Sequence, residues 1–217
     1  MFERKEYKEN ALRQLDGRKA VPAAATLVSF LILLAASSGD AISLQSGEGS
    51  GTLLSIAVIF IHGSVIIAYA RLLIQLYCSA EKVTFGSFVG GFSFFLQGVL
   101  GLLWYMLWVT LWSFLFFIPG IVKAFSYSQM FFILAENPKI SIFKAMNLSK
   151  ILTRGHKCDL LVMAVSFLGW DILSVLTLGI LQLWLIPYKG MSYTNAYFAL
   201  KQEAFRTGIL TPADFSQ

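Results

Sequence analysis

The sequence predicts an all-α membrane protein of six transmembrane helices, arranged as three helical hairpins repeated in parallel, with amphipathic helices at the interface. Hydrophobic residues make up 57% of the 217 positions and charged residues only 13%, about half the charged share of a soluble domain. The apolar residues fall into long runs, and about 20 of them in succession are what one helix needs to cross the hydrocarbon core. The basic residues stand in the short connectors between runs, and those connectors can all be placed on one side of a membrane.

Residues 1–19 carry Glu3, Glu6, Glu9 and Asp16 among basic residues, while Tyr7, Ala11, Leu12 and Leu15 make one apolar face at helical spacing. This predicts an amphipathic helix lying on the inner membrane surface. Ala35 and Ala36 before Ser37 have the small-residue character of a signal-peptide cleavage site. An acid-bearing stretch of this length is not the basic n-region that such a peptide needs.

The six-helix region covers 20–200. Its first span is 20–36, with Pro22 in the first turn, where the missing N–H costs nothing. Residues 37–51 are rich in Gly and Ser, hold Asp40 and Glu48 and no basic residue, and form an outer loop. The second span, 53–76, leads to Glu81 and Lys82 and then to a Gly- and Phe-rich interfacial stretch, 84–92. The third, 94–117, is strongly aromatic and stops before Pro119-Gly120; the fourth, 121–135, stops at Asn137-Pro138. In 140–152, Ile142, Ala145, Met146 and Leu148 alternate with Lys144, Asn147 and Lys150 as in a helix half sunk among headgroups. The fifth span, 160–178, turns at Thr177–Gly179 into the sixth, 180–200, and 201–217 form a cytoplasmic tail.

Six basic residues precede the first span, two (Arg71, in the last two turns of the second span, and Lys82) are counted between the second and third, five lie between the fourth and fifth, and two follow the sixth. The two clear outer loops have none, so both termini are expected in the cytoplasm. The net charge of +5 and pI near 9.2 therefore reflect topology; no basic stripe is interleaved with aromatics for nucleic acid. Cys78 and Cys158 fall beyond predicted helix ends with no CxxC or Cys/His spacing, so neither a disulfide nor a metal site is expected. No nucleophile elbow, HExxH, P-loop or paired carboxylates occur, and Glu136 has no evident acidic partner. Neither an enzyme nor a cofactor is expected.

Residues 123–134 (Lys-Ala-Phe-Ser-Tyr-Ser-Gln-Met-Phe-Phe-Ile-Leu) align with 189–200 (Lys-Gly-Met-Ser-Tyr-Thr-Asn-Ala-Tyr-Phe-Ala-Leu) with five identities in twelve, and each follows an Ile-Pro pair. Ala68-Tyr69-Ala70-Arg71 is a fainter copy. All three sit on even-numbered spans, which predicts parallel repeats about an axis along the membrane normal. Small residues around a Tyr can serve as plain helix packing. The functional reading places Tyr69, Tyr127 and Tyr193 around a central ligand cavity with Arg71, Gln129 and Asn195 as its polar floor.

Lys123, Asp171 and Lys189 lie within predicted spans, where a charge at the centre costs about 2.5–3.5 kcal/mol on insertion scales. Asp171 stands eight residues before Gly179 and Lys189 ten after it, so an ion pair between adjacent antiparallel helices is expected, structural or part of a substrate path. His62, mid-span beside Gly63 and Ser64, is a proton relay or, more simply, a hydrogen-bonded packing residue.

From Phe117 onward the chain resembles a bacterial membrane family known as domain of unknown function 975. The resemblance rests on Ile118-Pro-Gly-Ile-Val-Lys-Ala124, Ser126-Tyr127-Ser128, Ile133-Leu-Ala-Glu-Asn-Pro138, Gly155-His-Lys157, Phe167-Leu-Gly-Trp170, Leu176-Thr-Leu-Gly179 and Trp184-Leu-Ile-Pro-Tyr188. Residues 6–18 and Tyr69-Ala-Arg71 match more loosely. The family's second span carries Arg-Gly-Pro where this chain has His62-Gly63-Ser64, and its fifth lacks an acid where Asp171 stands. The resemblance implies a multi-pass bacterial plasma-membrane protein and no reaction. More distantly the chain is similar to the membrane region joined to some glycerophosphodiester phosphodiesterases. The expected function is non-enzymatic: binding a membrane lipid, a peptide or a protein partner in envelope maintenance or protection, in a monomer or homo-oligomer. The alternative is a small transporter or channel component.

Overall fold

The computed structural model describes residues 2–46, 50–79, 83–115 and 117–215, and side chains within them outside 33, 35–57, 59, 115 and 117. Glu48, Glu81 and Lys82 lie outside the described residues. All regular structure among the described residues is helical, as the composition requires: in lipid a spanning segment must satisfy its backbone internally. Among the described residues, four stretches are long and apolar enough to cross a membrane: Phe60–Cys78, Phe85–Phe114, Ile118–Glu136 and Lys157–Leu176.

Helix α1 (Arg4–Leu15) leads into α2 (Ala20–Ser46) and α3 (Ser50–Cys78). The Gly- and Ser-rich stretch expected to be an outer loop is therefore helical through Ser46. Residues such as Gly39 cost a helix only about 1 kcal/mol, too little to end it against the favourable continuation of the ladder. A short α4 (Phe85–Gly90) and a 3-10 turn (Gly91–Phe94) enter α5 (Phe95–Leu115). Then come α6 (Phe117–Tyr127), α7 (Met130–Glu136), α8 (Ile142–Leu152), α9 (Lys157–Val165), α10 (Leu168–Leu176), α11 (Gln182–Arg206) and a 3-10 turn at Pro212–Phe215.

The centre is α3, flanked by α2, α5, α7 and α11. Against α5 it packs through small residues. A Cβ on Gly63 would stand 2.7 Å from the Gly98 carbonyl oxygen, and one on Gly91 would strike the Ala68 backbone. Close backbone approach is how helices associate where lipid removes the hydrophobic drive. Half of the Phe60–Cys78 stretch is buried inside the protein, against 22% of Phe85–Phe114 and of Lys157–Leu176, so α5 and α9–α10 form the periphery.

Two expected spans are interrupted. Between α6 and α7 the ladder breaks at Ser128 and Gln129 without a proline. The freed carbonyl of Ser126 accepts from Ser149 Oγ (2.8 Å) and Thr153 Oγ1 (3.3 Å) of α8, both buried. Helix α8 thus docks on protein at the break, with Ala145, Met146, Leu148 and Leu152 in the core. The second interruption is at Ser166–Phe167, between α9 and α10.

The apolar face of α1 is also taken up by protein. Tyr7, Ala11 and Leu15 are buried, Tyr7 beside Leu160, Met163 and Leu200, and Ala11 and Leu15 with Leu72, Leu76 and Met191. Gln14 Oε1 accepts from Asn195 Nδ2 at 2.7 Å, and Arg18 donates to the Ser79 carbonyl at 2.6 Å. A helix expected to press that face into headgroups instead packs antiparallel to α11, because α11 offers a matching apolar surface at the same end of the bundle.

Candidate functional site

A cavity of about 460 Å³ lies between α2, α3, α7 and α11. Helix periodicity builds it. Thr26, Ser29 and Phe30 face it from α2; His62, Val65, Ile66, Tyr69 and Leu73 from α3; Ile186, Gly190 and Tyr193 from α11. Each set repeats at three- and four-residue spacing. Ser128, Phe131 and Phe132 close the remaining side. Gly190 is the point of closest approach: a Cβ there would meet Leu73 Cδ1 at 2.6 Å.

Its polarity is sparse and uncharged. Thr26 Oγ1 lies 3.3 Å from the Tyr69 hydroxyl and donates to the Pro22 carbonyl at 2.9 Å. Ser29 and Ser128 donate to backbone carbonyls. Among the described residues the His62 ring makes no hydrogen bond, and its Nδ1 is fully buried; the Tyr193 hydroxyl makes none either. Buried polar groups in proteins are almost always paired, so the His62 ring is available to a ligand, and the partly buried Tyr193 hydroxyl is a second group in the wall that can bond one.

Tyr69 and Tyr193 are therefore brought together, and Tyr127 is not. The Tyr127 ring is buried, edge-on to Tyr105 with centroids 6.4 Å apart. The proposed polar floor does not form. Arg71 stacks over Phe94 at 4.4 Å, Asn195 bonds Gln14, and Gln129 donates to Ser128 Oγ at 3.1 Å while its buried Oε1 has no partner. The reason is geometric. Arg71 and Asn195 each follow their Tyr by two positions, which turns them about 200° around the helix, where residues do not share a face, and Gln129 stands in the break after α6.

Tyr193 lines a second pocket, of about 380 Å³, on its other side, with Phe167, Asp171 and Lys189. Lys189 Nζ bonds Asp171 Oδ1. Gln182 Nε2 is 3.4 Å from the same oxygen and donates to Ser174 Oγ at 2.8 Å. Lys189 is 5.8 Å from the Phe167 ring centroid; Lys8 covers that ring at 3.9 Å and donates to Ser166 at 2.6 Å. Burial, with Arg4 nearby, pulls the Lys8 ammonium below the usual lysine value. Among the described residues Lys123 makes no ion pair, and it sits 4.5 Å over the Trp112 ring, a cation–π arrangement.

A cluster not anticipated from the residues joins α7 to α11. Glu136 accepts from Lys201 Nζ at 2.7 and 2.6 Å and from the buried Tyr197 hydroxyl at 2.5 Å, and Lys201 lies 4.5 Å over the Phe215 ring. The signal was the spacing: Tyr197 and Lys201 stand one turn apart on α11, which lets one carboxylate bridge both.

No curated protein and no solved structure matches the chain. Both ion pairs, Tyr193 and the α7 wall of the cavity fall within one matched segment, whereas His62, Tyr69 and Thr26 precede it. The likeness read from the motifs after Phe117 is a match, over residues 115–204, to the family described as a protein of unknown function (DUF975).

Proposed function

We propose that this protein is a non-enzymatic, multi-pass membrane protein that holds the apolar chain of an uncharged amphiphile in the cavity between α2, α3 and α11. The observation that carries this is the cavity itself. Its volume of about 460 Å³ falls in the range of small-molecule sites, which are mostly apolar with a few placed polar groups. No charged residue is among those that line it. A charged head drawn into such a wall would lose its hydration without a partner, whereas a hydroxyl or neutral carbonyl can bond His62 and Tyr193.

In this reading the chain crosses the bilayer six times, in a bacterial plasma membrane, with both termini in the cytoplasm. Helices α2 and α11 are 27 and 25 residues long, enough to span. The basic residues of α1, α8 and the α11 end supply the positive-inside asymmetry.

The test is to purify the protein in mild detergent and quantify co-purified lipid by mass spectrometry. His62→Leu and Tyr193→Phe should lose a neutral lipid that the wild type retains, and Tyr127→Phe, outside the cavity, should keep it. Equal retention in all four proteins would overturn the reading. A second reading, a small transporter, rests on Tyr193: it lines both the uncharged cavity and the Asp171–Lys189 pocket, and rotation of its side chain would join them. Movement of a fluorescent lipid or solute across reconstituted vesicles, abolished by Tyr193→Trp, would favour transport over binding alone.

A further inference from the structure

A third cavity, of about 370 Å³, lies on the other side of α11, between α1 and the α10–α11 hairpin. From Leu181, just before α11, it runs along that helix past Trp184 to Tyr188, so it extends over two helical turns, about 10 Å. Ile186 and Gly190 face the uncharged cavity instead. The two sites occupy different faces of one helix.

Its chemistry differs as well. The residues with polar side chains that line it are Lys19, Trp170, Trp184 and Tyr188, which carry an ammonium, two indole N–H groups and a phenol hydroxyl. All are donors and no acid is among them. Lys19 is exposed, its carbonyl accepts from Ala23 N at 3.0 Å, and among the described residues its ammonium makes no hydrogen bond or ion pair. Arg18 beside it is fixed to the Ser79 carbonyl at the end of α3. Lys19 is thus held at the end of the bundle where α1 enters α2, while the apolar groove runs away from it along α11. Trp170 and Trp184 are 52% and 57% exposed, and half-exposed Trp with a nearby cation is the composition of a membrane–water boundary.

We infer that this groove binds a phospholipid with an anionic head, its phosphate on Lys19 and one acyl chain along Leu181, Trp184 and Tyr188. A single Lys near an anionic head is worth about fivefold in affinity, and hydrogen bonds from the indole and phenol donors add to it.

The test reconstitutes the full chain in phosphatidylcholine vesicles containing brominated phosphatidylglycerol or brominated phosphatidylcholine, and follows tryptophan quenching. Brominated phosphatidylglycerol should quench at about fivefold lower mole fraction. That preference should vanish in Lys19→Gln, persist in Lys19→Arg and in Lys139→Gln on a distant surface, and disappear when Trp170 and Trp184 are both replaced by Phe. His62→Leu should leave it unchanged, which separates this site from the uncharged cavity. Equal quenching by the two lipids in the wild type, survival of the preference in Lys19→Gln, or selective quenching by a brominated fatty acid alone would overturn the inference.

Discussion

Among the described residues helix α11 carries two lysine–carboxylate ion pairs, and they differ in how completely they are closed. At Lys201, Glu136 takes both ammonium and phenol hydrogens, and the Phe215 ring covers the cation. The side chains are 13% and 27% exposed. At Lys189 the partner Asp171 is 37% exposed and forms part of a pocket wall with Tyr193. The chemistry is the same, but the first pair is sealed by aromatic packing and the second stands open. A charge within an apolar helix therefore marks a site only where some of its surroundings remain unfilled; otherwise it is a tie between helices.

The largest effect is expected at the sealed pair. Glu136→Gln leaves Lys201 without compensation beneath Phe215 and should cost about 3 kcal/mol, read as a lowered midpoint of unfolding in mixed micelles. Tyr197→Phe removes a hydrogen bond to a charged acceptor and should cost about 2 kcal/mol in the same assay. At the open pair, the pocket of about 380 Å³ beside Asp171 has room for water, which screens the loss, so Asp171→Asn should cost only about 1 kcal/mol. The double variant Asp171→Leu with Lys189→Leu should recover part of it. Equal losses at Glu136 and Asp171 would break the comparison.

The residues reveal this contrast only partly. That the chain is helical and apolar enough to enter a membrane follows from runs such as Leu53–Leu76 and from the scarcity of charge. The Asp171–Lys189 pairing could be read from equal distances to the turn at Gly179. The helix break at Ser128–Gln129 could not, since no Gly or Pro marks it; it exists because Ser149 and Thr153 of α8 bond the freed Ser126 carbonyl, a contact between distant parts of the sequence. That break also ends α6 at Tyr127, so the Tyr of the second copy does not reach the cavity lined by Tyr69 and Tyr193, although Ser128, Phe131 and Phe132 of the same copy do. The Glu136–Tyr197–Lys201 cluster stayed hidden for a similar reason: 61 residues separate Glu136 from Tyr197, and only the docking of α7 on α11 joins them.

The smallest expected effect concerns the turn that sets the register of the open pair. Leu178 has φ of 51° and Gly179 of 83°, both in the left-handed region. Left-handed backbone costs a side-chain-bearing residue about 1–2 kcal/mol, and Leu178, 91% exposed, gains no packing within the protein to offset it. Leu178→Gly relieves that strain but adds about 0.5–1 kcal/mol of unfolded-state entropy. The net stabilisation should be about 0.5 kcal/mol, a slight rise in unfolding midpoint. The gain should be the same in wild type and in Asp171→Asn if the turn imposes the pairing of α10 with α11. A gain that shrinks in Asp171→Asn would mean that the ion pair holds the turn in its strained form, which would make the open pair a structural tie like the sealed one.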